Sequence, residues 1–136
     1  MIKLLIAVTF MALFFITIKS AKADYPIMAK CDPQKLTAIK YSQCLDILKI
    51  KVDRELQTWI NNQLFILEEL AKETGRNSAY DMFQRSQKNF ETFRDSNCKW
   101  QFLVELPSNE SAPHYKKCYI LTTKDRINEL RRIAKT

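Results

Sequence analysis

The chain has 136 residues, with 22 lysines and arginines against 15 aspartates and glutamates, a net charge of +7, and only one glycine and one histidine. A single glycine leaves no phosphate-cradling loop, and the lone His114 stands in a stretch without an evident nucleophile to activate. The cationic excess is spread along the chain rather than packed onto one face, which argues against a nucleic-acid binder.

The first residues, MIKLLIAVTFMALFFITIKSAKA, set a lysine before an apolar run from Leu4 to Ile18 and end on Ala21-Lys22-Ala23. That is the layout of a secretory signal peptide cut after Ala23. The run is shorter than the roughly 20 residues that span a bilayer. Cleavage would leave residues 24–136 as one small helical domain, periplasmic or secreted, with no membrane span. It would also remove Lys3, Lys19 and Lys22, so the net charge of +7 falls by three to +4.

The remainder holds four cysteines, Cys31, Cys44, Cys98 and Cys118. An even count in a small exported domain points to two disulfides. No C-x-x-C spacing accompanies them, so no metal site and no cofactor is expected. A helix running unbroken from Pro33 would carry Cys44 more than 15 Å from its start, at about 1.5 Å per residue. Bridged Cα atoms lie within roughly 7 Å. A helix that starts near Thr37 instead lets residues 31–36 fold back, so that Cys31 meets Cys44. Cys98 is then left to pair with Cys118.

Apolar residues at Leu45, Leu48, Val52, Leu56, Trp59, Ile66 and Leu70 recur at helical steps, with Ile60, Leu64, Leu67 and Ala71 beside them. They predict a long helix over about 37–74, ended by Gly75 in the left-handed conformation. Ser78 and Asp81 form an approximate capping box for a second helix over about 79–104. Phe83, Gln87, Phe90, Arg94 and Asn97 share its inward face, widened by Phe93, Trp100 and Val104. Pro107 stops it. The stretch LPSNESAPHYKK, 106–117, has no periodicity and predicts a loop, with Glu110, His114 and Tyr115 as a candidate binding surface. A third helix follows over about 118–134, through Ile120, Thr123, Ile127, Leu130 and Ala134. The fold class is all-α, an antiparallel helical hairpin plus a C-terminal helix, with Trp59 and Trp100 assigned to the core.

The segment SQKNFETFRDSNC, residues 86–98, resembles the A-Q-R-A-W-x-x-[FY]-R-D-x-x-C motif of the lysozyme inhibitor LprI-like domain family. Gln87, Phe90, Phe93, Arg94, Asp95 and Cys98 occupy its positions. Ser86 stands in place of alanine and Phe90 in place of tryptophan. Cys118, Thr123, Arg126, Glu129 and Leu130 match the family's C-x4-T-x2-R-x2-E-L ending, and Cys44, Asp53 and Leu56 its first-helix pattern. The resemblance implies a small, exported, all-helical bacterial protein and, for the family's named member, lysozyme inhibition.

Side-chain physics gives the shared polar residues a structural task. Gln87 and Arg94 fall on a face that must be buried, so they need partners there. Asp53, Gln87, Arg94, Asp95, Arg126 and Glu129 are the expected network tying three helices together. Glu68, Glu69 and Glu73, with Lys72 beside them, read as a solvated face, and no catalytic grouping is expected. The functional expectation is an exported binding protein, a lysozyme inhibitor by resemblance, or alternatively a non-inhibitory envelope module with another protein partner. One objection follows from charge. Animal lysozymes are basic, and a chain of charge +4 is repelled by them at long range.

Overall fold

The computed structural model describes residues 26–134. The predicted leader, 1–23, lies outside them. Three long helices follow a short 3-10 turn at Met28–Lys30: α1 (Ala38–Thr74), α2 (Ser78–Val104) and α3 (Ser111–Ile133).

Both ends of α1 have local causes. The Thr37 side chain accepts a hydrogen bond from the Lys40 backbone N–H, and Gly75 closes the helix at φ 70°, donating its N–H to the Ala71 carbonyl. The left-handed conformation is one that a Cβ disfavours. The turn into α2 differs from expectation. Ser78 is the first helical residue rather than the cap, and Asn77 before it makes no side-chain capping bond.

The larger difference is at α3, which starts at Ser111 rather than near 118. Pro113 sits in its first turn, where backbone N–H groups have no intrahelical acceptor. A proline there costs nothing. The stretch from Ser111 to Lys117 is therefore helix, and only residues 105–110 connect α2 to α3.

The core is Leu45, Leu48, Val52, Leu56 and Ile60 of α1 against Ile120, Ile127 and Leu130 of α3, closed at one end by Cys31. Each such side chain contributes on the order of 1.5–3 kcal/mol by leaving water. Cross-helix pairs set the direction of α3. Lys116 Nζ lies 2.8 Å from Asp46, Lys124 Nζ lies 3.0 Å from Glu55, and Arg131 also pairs with Glu55. Residue numbers rise together, so α3 runs parallel to α1, while α2 runs back along both.

Length then decides burial. The 37 residues of α1 span about 55 Å and the 23 of α3 about 35 Å, at roughly 1.5 Å per residue. Beyond Ile60 no α3 remains to cover the apolar stripe. Ile66 and Leu70, expected inside, are exposed, and only Ala71 is fully buried there.

The bridges join Cys31 to Cys44 and Cys98 to Cys118, with Cα–Cα separations of 5.8 and 5.5 Å. The first folds residues 31–36 back onto α1, and the second ties α2 to α3 behind the 105–110 turn. Two such bonds belong to an oxidising compartment. No helix among the described residues is long and apolar enough to cross a membrane.

Candidate functional site

Where the three helices meet, α2 turns polar side chains inward. Gln87, Arg94 and Cys98 are its only fully buried residues. Arg94, 6% exposed, has groups from every helix around it. Its guanidinium lies 3.7 Å from Asp53 of α1 and 3.3 Å from Asp95, and donates to the Thr123 hydroxyl of α3 at 3.2 Å. It also stacks over the Tyr119 ring, 3.8 Å from the centroid.

Tyr119 closes the loop of contacts by donating its hydroxyl to Asp53 at 2.9 Å, while Lys49 lies 4.1 Å from its ring. Burial, and then this hydrogen bond to a carboxylate, push the Tyr119 phenol well above its ordinary value. An isolated buried guanidinium would be strongly unfavourable. Here its donors meet two carboxylates and a hydroxyl, and its flat face meets an aromatic ring.

A second cluster lies further along the α2–α3 seam. Arg126 donates to the Gln87 amide oxygen at 3.2 Å, to the Ser86 hydroxyl at 2.9 Å and to Glu129 at 2.6 Å. The Phe90 ring stands between the clusters, 5.5 Å from Arg94 and 5.7 Å from Arg126. The six residues expected to form one network thus occupy two centres, Asp53–Arg94–Asp95 and Gln87–Arg126–Glu129. Among the described residues, every buried side-chain nitrogen and oxygen has a partner.

Sequence reasoning missed Tyr119 and Ser86 as members of the network, and placed Thr123 in an apolar stripe and in the family's C-terminal motif without a polar partner. The signal for two of them was present. Tyr119 and Thr123 lie four apart on the helix that carries Ile120 and Ile127, so their hydroxyls had to face the same interior. The α1–α3 clamps of Asp46 with Lys116, and of Glu55 with Lys124 and Arg131, carry no local signature and depend on the register of two distant helices.

The outer flank of α2 departs most from expectation. Phe93, Trp100 and Val104 are 59%, 56% and 72% exposed, so they do not widen the core, and Trp100 is a surface residue. Trp59 is half-buried against the core, with Arg131 over its ring.

The expected binding loop is also redistributed. Glu110 is the residue before α3, while His114 and Tyr115 are helical. His114 Nδ1 lies 3.2 Å from Glu105 Oε1, clipping the start of α3 to the end of α2. Tyr115 is half-buried, and burial, then the nearby Asp95 carboxylate, raise its phenol. Glu110 is exposed, and its charge adds to burial in raising Tyr41.

No cluster of metal-ligating side chains occurs among the described residues. No curated protein and no solved structure matches the chain. The family model described as lysozyme inhibitor LprI matches residues 31–130, a span that holds both bridges, both polar centres and most of every helix, and the chain therefore belongs to the lysozyme inhibitor LprI family.

Proposed function

We propose that this chain is an exported lysozyme inhibitor. The observation that carries the reading is the family match from Cys31 to Leu130, which takes in the whole bridged scaffold. The leader over 1–23 supplies the route out of the cytoplasm. The mature protein is expected to begin at Asp24, a point that N-terminal sequencing of exported material checks.

The element we assign to the enzyme is the 105–110 turn. It is anchored at its base by the Cys98–Cys118 bridge and by the contact of His114 with Glu105. A short, braced connection loses little conformational freedom on binding. Glu105 and Glu110 give it local negative charge on a chain that is positive overall, which is what a basic enzyme requires at close range.

The test is a cell-wall clearing assay with the oxidised protein added to lysozyme. Dose-dependent slowing is expected, weakened several-fold by Glu110→Lys. Unchanged clearing at large molar excess would sink the proposal. If a stable complex with another envelope protein were then recovered, the non-inhibitory module would replace it.

A further inference from the structure

Seen along its flank, α2 carries Asn89, Phe93, Ser96, Trp100 and Leu103 at alternating steps of four and three, with Val104 adjoining. This is the spacing of a helix–helix seam, yet all six residues are exposed. None is charged. The geometry points to a second copy of this chain as the occupant, packed antiparallel so that the α2 helices face each other across a two-fold axis.

Two observations select that occupant. The first is area. Phe93, Trp100, Leu103 and Val104, with Leu106 just past the helix, are each about half exposed or more. At roughly 200 Å² for a large side chain, they offer on the order of 500 Å² of apolar surface. A polar rim brings that to the roughly 800 Å² per partner of a standard stable interface. The second is charge. Two copies of the mature chain, expected to carry +4 once the leader takes three of the +7 charges, repel each other over most orientations. A face without charge is where they can meet, whereas a strongly acidic or basic partner would find nothing complementary there.

The register follows from the residues. An axis between Ser96 and Asn97 sets Phe93 of each copy against Trp100 of the other, and small side chains at the centre let the helices approach. The Trp100 indole is already oriented, donating to the Asn97 side chain at 3.1 Å. Two aromatic pairs per dimer then supply the anchors that dominate such interfaces. The polar centres around Arg94 and Arg126 stay on the inner side, so dimerisation asks nothing of the fold.

The test is sedimentation equilibrium of the exported, mature chain with both bridges intact, from low micromolar to near-millimolar concentration. Twice the monomer mass at the upper end is expected for the wild type. Trp100→Ala should raise the dissociation constant at least ten-fold, and Trp100→Glu should be monomeric throughout with unchanged helical circular dichroism. Should Trp100→Glu fail to fold, Val104→Glu at the exposed end of the seam serves instead. A wild type that stays monomeric, or a charge-bearing variant that still dimerises, overturns the inference. A monomeric wild type whose lysozyme inhibition is lost on Trp100→Ala would also overturn it, by giving the seam to the enzyme.

Discussion

The two sides of α2 invert the usual distribution. Its interior side buries Gln87 and Arg94 beside a disulfide, while its flank leaves Phe93, Trp100 and Val104 in water. In a bundle only three helices thick, what a side chain meets depends on what the neighbouring helices present at that level. At the level of Arg94, α1 presents Asp53 and α3 presents Thr123 and the Tyr119 ring. A leucine there would take the buried donor from Thr123 and leave Asp53 and the Tyr119 ring with Lys49 alone. Among the described residues no helix covers the flank, and apolarity alone does not create one.

Perturbing the interior side should therefore cost far more than perturbing the flank. Replacing Cys98 and Cys118 together by alanine frees a 20-residue separation and should cost about 3 kcal/mol in urea unfolding. A loss under about 1 kcal/mol would mean that the polar seam holds α2 to α3 without the bridge. Next in size is Arg126→Ala. It leaves Gln87 and Ser86 short of a donor while Glu129 is half in water, so a loss of about 2 kcal/mol is expected. An equal loss in Glu129→Ala would shift the weight from Gln87 to the ion pair.

Tyr119→Phe should cost about 1 kcal/mol near neutrality, the contribution of one hydrogen bond. Its pH dependence carries a sign. The folded phenol lies above its ordinary value of 10.0, so the folded state holds the proton more tightly than the unfolded one. The stabilisation is complete below pH 10 and declines as the pH rises past it. The variant should show a shallower alkaline loss of stability than the wild type, measured by denaturant midpoints across that range. Parallel curves would exclude Tyr119 as the titrating group.

Much of this was legible in the residues, for identifiable reasons. Thr37 and Gly75 bound α1 through capping that needs nothing beyond the local chain, and so α1 lies at Ala38–Thr74 against an expected 37–74. The bridges followed from chain reach. Gln87 and Arg94 announced themselves as polar residues on an apolar helix face. What escaped depends on tertiary context. Pro107 and Pro113 look alike in sequence, but the first follows a helix end and the second falls in a first turn that tolerates it. Ile66 and Leu70 continue the stripe of Leu45 and Leu48 without a break, and only the shorter reach of α3 leaves them uncovered. Trp100 and Phe93 are spaced as if for a partner helix, and none of the described residues supplies one.

The interior of α2 is polar because its neighbours are, and its flank is apolar without structural need. Urea unfolding of Arg94→Ala beside Trp100→Ala, at a concentration low enough to keep the chain monomeric, measures that contrast directly. Removing the buried guanidinium takes a donor from Thr123 and one partner from Asp53, which keeps Lys49 and is partly in water. That should cost about 2 kcal/mol, and trimming the exposed indole no more than about 0.5 kcal/mol. Equal losses, or a larger one for Trp100, would contradict the account.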